Sequence, residues 1–222
     1  MIVIYTLIFS TIMKARLPGL DDTWSYSIYL CTGILFWTFF SEVVNRCQTM
    51  FIAEASLLKR SNFPRLALPC VIILSALLNL LIFCSIFFAF LLVTERTPGF
   101  SVILILPLIG LIGAIALGFG ILTGTLNVFF RDVGKGVGIL LTFWFWMTPI
   151  VYPIDIIPPA LAEFIVLINP LVPIVNFAQS VFLGTQPPEL QTLIFPSLLA
   201  LVFLLLGYFG FRRLSADMVD EL

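Results

Sequence analysis

The segment Asn127–Pro153, NVFFRDVGKGVGILLTFWFWMTPIVYP, places an adjacent Arg131–Asp132 pair where one apolar run ends and the next begins. At such a boundary an Arg–Asp pair can stiffen a loop, the carboxylate bonding a helix N-terminus and the guanidinium bonding carbonyls. The plainer alternative is a solvated pair worth under about 1 kcal/mol. Gly134–Gly136 reads GKG but lacks the upstream glycine and following Ser/Thr of a phosphate-binding G-x-x-x-x-G-K-[ST] loop. The chain has no histidine, so His metal ligands, His general bases and Ser–His or Cys–His pairs are excluded. Its four cysteines, Cys31, Cys47, Cys70 and Cys84, show no C-x-x-C spacing and read as small buried hydrophobes. The carboxylates are scattered, and no catalytic or metal site is expected.

The elements that carry these residues follow from composition. The 222 residues are 61% hydrophobic and 10% charged, with mean hydropathy +1.16, against about a quarter charged in a soluble globule. Several runs approach the roughly 20 residues that a bilayer-crossing helix needs. They are continuously apolar rather than alternating, which disfavours a β-barrel. The predicted class is an all-α polytopic membrane protein, a single transmembrane domain over residues 1–222.

Six spans are predicted, the first partial. The run MIVIYTLIFSTIM lacks a basic leader and a cleavage site, and covers only about 20 Å of the roughly 30 Å hydrocarbon layer. The expectation is a first span that begins before residue 1. The others are Tyr26–Val44, Leu68–Val93, Val102–Leu126, Val137–Val151 and Leu193–Phe211. With entry from the cytoplasm, Arg46, Lys59, Arg60, Arg65, Arg131, Lys135, Arg212 and Arg213 fall inside. Lys14, Arg16 and Arg96 fall outside, so the positive-inside rule predicts both termini in the cytoplasm.

Two connections are long. Residues 45–67 form a cytoplasmic loop with helical periodicity in Met50, Phe51, Leu57 and Leu58, closed by Pro64. An amphipathic helix there fits a membrane-surface anchor and a partner-docking face equally. Residues 153–191 contain no Lys or Arg and hold short apolar pieces broken by Pro158, Pro159, Pro170 and Pro173. They read as an outer re-entrant helical pair around Asn169–Pro170, buried in protein or lining a cavity. Glu42 is placed near the inner end of its span, and later spans have no central charge, which argues against an ion-coupled carrier. The lack of an arginine array or a TVGYG filter likewise disfavours a selective cation channel.

Gly120 and Gly124 have G-x-x-x-G spacing, read as close packing within one subunit or as a dimer seam. Phe143, Trp144, Phe145 and Trp146 suit a lipid-facing belt, yet consecutive helical residues point all round, so some must face protein or a pore. Thr148–Tyr152, TPIVY, reads as a helix end in which Pro149 frees a carbonyl one turn back.

LNVFFRDVGKGVGILLTFWFWMTPIVYP, LINPLVPIVNFAQSVFLG and LLKRSNFPRLALP together resemble the permease subunits of ABC type-2 exporters for polysaccharides and polyol phosphates, movers of O-antigen or teichoic acid. The resemblance covers Tyr26 to about Arg213. It implies a homodimer with two ATPase subunits docked below, and a channel at the dimer interface for a lipid-linked glycan. ATP and Mg²⁺ would act on the partner ATPase, with no cofactor in this chain. Membrane lipid is the other contact implied, and no nucleic acid is expected. Coupling to the ATPase would involve Glu54, Lys59, Arg60, Phe63 and Pro64 of a cytoplasmic coupling helix, with Arg131 and Asp132 in the second turn. Channel or gate residues would be Phe143, Trp144, Trp146, Thr148, Pro149, Tyr152, Asn169 and Pro170. Family members usually begin with a cytoplasmic amphipathic helix, so the sequence is expected to be shortened at its N-terminus. Gln179 stands where many members carry an arginine, so no charged role is expected there. Other readings are a drug or small-lipid exporter of the same superfamily, an ion-coupled carrier and a membrane scaffold; a neighbouring ATPase gene separates the first from the last two.

Overall fold

The computed structural model describes residues 24–58, 67–215 and 217–221, all helix and connection with no strand among them. The helices are α1 Ser25–Ala53, α2 Ala55–Leu58, α3 Ala67–Val93, α4 Ile105–Phe129, α5 Asp132–Met147, α6 Pro159–Ile168, α7 Leu171–Leu183, α8 Ile194–Leu214 and α9 Asp217–Glu221. Short 3₁₀ turns lead into α4 at Phe100–Leu104 and into α8 at Leu190–Leu193, and a third lies at Ile154–Ile156.

Four of these helices are long and apolar enough to cross a bilayer: α1, α3, and α4 and α8 with their leading 3₁₀ turns. α6 and α7 would make a fifth span if counted as one, but they meet at 106°. The bend falls in the segment predicted as a re-entrant pair. Proline begins α6, and α7 ends at Gly184, whose φ of 67° lets Thr185 N–H reach back to the Ser180 carbonyl at 3.0 Å. The run predicted as the span Val137–Val151 is instead the 16-residue α5, which stops at Met147 because Thr148 turns extended ahead of Pro149. At 1.5 Å per residue α5 rises about 24 Å, short of the hydrocarbon layer. The first predicted span lies outside the described residues.

The span predicted to end at Val44 runs on to Ala53. No breaker interrupts it, and its polar side chains fold back along the helix: Asn45 Nδ2 donates to the Ser41 carbonyl at 2.8 Å, and Arg46 meets Glu42 at 3.1 Å. The expected loop from Asn45 is therefore helix for its first third. A break at Glu54 separates it from the single turn of α2.

α1 is the hub, packed on α3, α4, α5 and α7, while α4 lies between α1 and α8. In lipid the helices gain little from the hydrophobic effect, so close van der Waals contact must hold them. Glycines make the contact possible. A Cβ on Gly118 would stand 2.5 Å from the Leu204 nitrogen of α8, and one on Gly124 2.5 Å from the Cys47 carbonyl oxygen of α1. Gly120 meets the Cys47 side chain in the same way. The G-x-x-x-G pair therefore packs helices within one subunit.

Gly118→Ala is expected to cost about 1–3 kcal/mol, because the clash is with backbone. Gly136→Ala meets nothing within 4 Å and should stay within about 0.5 kcal/mol of the parent. Thermal unfolding in detergent separates them; equal midpoints would rule out glycine-mediated packing.

Candidate functional site

Two buried asparagines organise the ends of the bundle. At the end holding the α1 and α8 C-termini, where Phe51 stacks on Phe211 at 5.1 Å, Asn127 sits in the last turn of α4. Its Nδ2 donates to the Gln48 carbonyl of α1 at 3.0 Å, and its Oδ1 accepts from Gly134 N–H of α5 at 2.8 Å. Gly134 is needed for the approach, since a Cβ there would lie 3.0 Å from that oxygen. One amide thus joins three helices and fixes the turn that carries Arg131 and Asp132.

The Arg–Asp pair does not form the expected ties. Asp132 lies in the first turn of α5, where its charge suits the helix dipole, but its side chain meets Lys135 at 3.3 Å with both 83–93% exposed. Such a pair contributes little. Arg131 is exposed and makes no hydrogen bond or ion pair among the described residues. Asn127 stiffens the turn, and the charges are left facing outward. Glu54 is also exposed, at the break after α1. Lys59, Arg60, Phe63 and Pro64 lie outside the described residues.

At the opposite end Asn169 is 2% exposed and fully engaged. Its Oδ1 accepts from Trp144 Nε1 at 2.8 Å and from Leu171 N–H at 3.0 Å. Its Nδ2 donates to Thr148 Oγ1 at 3.0 Å and to the Met147 carbonyl at 3.2 Å. Thr148 Oγ1 in turn donates to the Trp144 carbonyl at 2.8 Å, a group left free because Thr148 N–H bonds the Phe145 carbonyl at 3.1 Å instead. The predicted Trp144, Thr148, Pro149, Asn169 and Pro170 therefore converge, and the helix stop and the re-entrant bend are one structure.

The elbow Thr148–Tyr152 leaves more carbonyls free, and side chains from distant helices take them. Tyr29 Oη lies 2.8 Å from the Pro149 carbonyl and 2.9 Å from that of Tyr152; Tyr26 Oη donates to Val151 at 2.7 Å. Gln179 Nε2 of α7 reaches the carbonyls of Tyr29 and Pro149, both at 3.3 Å. Tyr152 Oη donates to the Trp146 carbonyl at 2.6 Å. Gly33 backs the elbow, where a Cβ would come within 2.9 Å of Ile150 Cγ2. Sequence reasoning missed Tyr26 and Tyr29, although their i, i+3 spacing at the start of a span was visible. It noticed Gln179 only as a departure from a family pattern, whereas its Nε2 meets two carbonyls while its buried Oε1 has no hydrogen-bond partner among the described residues.

The aromatic run divides by helical phase. Trp144 packs edge-on against Phe40 and Phe119 at 5.2 and 5.8 Å, and Phe145 meets Trp37 at 5.4 Å. Phe143 and Trp146 point away from the bundle, 65% and 60% exposed. Glu42, expected near the inner end of its span, accepts from Asn79 Nδ2 at 2.7 Å, and Asn79 is close to the middle of α3. A charge does therefore reach the central level of the bundle. No group of metal ligands occurs among the described residues.

Comparison with known proteins adds what geometry alone does not. Residues 1–183 match the family model for ABC-2 type transporters. An O-antigen export system permease protein RfbA from Klebsiella pneumoniae is 32% identical over 183 residues, covering 82% of this chain and 68% of that protein. A second Klebsiella protein of that name is 31% identical over the same length and the same shares. One from Myxococcus xanthus is 26% identical over 204 residues, covering 90% and 75%.

Because Asn169 satisfies buried donors on two elements, Asn169→Leu should destabilise the protein by at least about 2 kcal/mol, and Trp144→Phe by about 1 kcal/mol. The pair should be non-additive in a double-mutant cycle of unfolding free energies. Simple additivity would mean that the Trp144–Asn169 bond carries no weight.

Proposed function

The chain belongs to the ABC-2 type transporter family, and from that premise we propose that it is the permease subunit of an ATP-driven exporter for a lipid-linked polysaccharide. The observation that carries the substrate class is the likeness, over most of the chain, to proteins named as O-antigen export permeases. Membrane subunits of this family are not enzymes in general. In the proposed assembly two copies of this chain meet around a channel, and two ATPase chains bind ATP and Mg²⁺ on the cytoplasmic side.

The charge distribution supports the orientation. Arg46, Arg131, Lys135, Arg212 and Arg213 collect at the end of the bundle that holds Asn127, and Arg96 follows α3 at the other. That basic end is the cytoplasmic one by the positive-inside rule, with both termini inside and the chain in the cytoplasmic membrane. Glu54 and residues 59–64 then face the ATPase as the coupling region, beside the outward-facing Arg131 and Asp132.

α1 is the lever between the two ends. Gln48 near its inner end is held by Asn127, and Tyr26 and Tyr29 at its outer end hold the elbow. A displacement imposed on the coupling region moves α1 as a rod and pulls two phenols against the elbow carbonyls. In this reading the Thr148–Tyr152 elbow and the Asn169–Pro170 bend are the outer gate, and Phe143 and Trp146 present ring faces to the passing sugar.

Co-expressed with the ATPase encoded beside it, the chain should purify as an equimolar complex. Arg131→Ala should keep the complex and ATP hydrolysis while lowering glycan export about tenfold or more. Full export by that variant would remove Arg131 from coupling, and failure of the parent chain to bind any ATPase would end the exporter reading.

A further inference from the structure

Among the described residues α1 is buried on the sides that meet α3, α4, α5 and α7, and the stripe left uncovered between Thr38 and Thr49 is hydrophilic. Thr38, Ser41, Glu42, Asn45, Arg46 and Thr49 recur at three- and four-residue steps, so they share a face. α3, beside it, exposes Val71, Leu74, Leu78, Leu81 and Ile86, an ordinary lipid-facing set. Asn79 is the exception on α3, turned to Glu42. Between the two helices lies an open cleft of about 470 Å³ lined by Thr38, Ser41, Glu42, Asn45, Asn79 and two apolar side chains, Ile82 and Phe83.

Hydrocarbon is a poor neighbour for this stripe. A carboxylate and an amide at the level of Glu42 and Asn79 cost several kcal/mol against lipid, and charges there face protein or water. The groups are only partly spent on one another. Glu42 Oε1 takes both Arg46 and Asn79, whereas Glu42 Oε2 and Asn79 Oδ1 have no hydrogen-bond partner among the described residues. Spare acceptors with adjacent hydroxyls and an aromatic ring match the chemistry of a sugar ring, whose hydroxyls donate and whose C–H face is apolar.

We propose that the Thr38–Thr49 stripe of α1, with Asn79 of α3, is the hydroxyl-binding wall of a water-filled path through which the glycan chain crosses the membrane. The proposal rests on the export reading and gives it a binding surface. Glu42 and Asn79 accept sugar hydroxyls, the hydroxyls of Thr38 and Ser41 exchange bonds with successive residues, and Phe83 supplies an apolar contact. No group on the stripe is specific for one sugar, as a polymer sliding past requires.

The test uses the full chain with its ATPase in inside-out vesicles and a membrane-impermeant methanethiosulfonate reagent, which reacts with thiolates in water. Asn45→Cys should label about tenfold faster or more than Leu81→Cys on the lipid face of α3. Labelling should then lower export of the lipid-linked glycan about tenfold, while the reagent leaves the parent protein's export unchanged. If the parent exports but Asn45→Cys stays unlabelled, the stripe is covered and the proposal fails. Labelling with export intact sends the glycan elsewhere and overturns it. If the parent itself exports no glycan in the presence of ATP, the export reading fails first and the binding wall with it.

Discussion

A chain that stops a helix inside a bilayer must satisfy the backbone groups it frees, because lipid offers no hydrogen bonds. The break at Thr148–Pro149 sets this demand, and much of the outer half of the molecule answers it. Asn169 bonds the end of α5 at Met147 and Thr148 and the start of α7. Tyr26 and Tyr29 come from the beginning of α1, and Gln179 from the middle of α7, to meet the carbonyls that remain. Remove the proline and α5 could continue upward; remove the side chains and the break would have no place in the membrane.

The opposite end uses the same device with different parts. There Asn127 joins the last turn of α4 to α1 and to the first turn of α5, with Gly134 making room. Between the two ends α1 has few interruptions. It is pressed against α4 at Gly120, which meets the Cys47 side chain, and at Gly124, which meets the Cys47 carbonyl, too closely for relative sliding to be easy. A helix fixed at both ends by directional bonds and along its length by close packing behaves as a rod. The outward charges Arg131, Asp132 and Glu54 lie at the Asn127 end of that rod.

What could be read from the sequence was set locally. Apolar run length marked the four long helices but also Val137–Val151, which is too short a helix to span; proline spacing marked the bent pair α6 and α7, and Thr-Pro and Asn-Pro marked two parts of one site. The extension of α1 to Ala53 was hidden because Asn45 and Arg46 look like a loop, although both bond back one turn along their own helix. The clamp residues were hidden for a different reason. Tyr29 and Pro149 are 120 positions apart, and no local pattern announces that a phenol will meet a particular carbonyl. Glu42 was misplaced because depth was counted along its own span alone, whereas its level is fixed by Asn79 on α3. The Arg131–Asp132 pair drew attention as the charged feature, but a neutral amide four residues earlier holds the turn.

The elbow's role as the outer gate is the claim on which the account turns, and a reversible lock tests it most directly. Gly33 and Ile150 are close enough, 3.2 Å from an added Cβ to the Ile150 Cα, for a Gly33→Cys/Ile150→Cys pair to bridge α1 and the elbow. With the complex in vesicles, the account predicts that oxidation stops glycan export, that reduction restores it, and that neither single variant responds to oxidant. Undiminished export with the disulfide formed would contradict it, because the elbow would then be a fixed part of the wall.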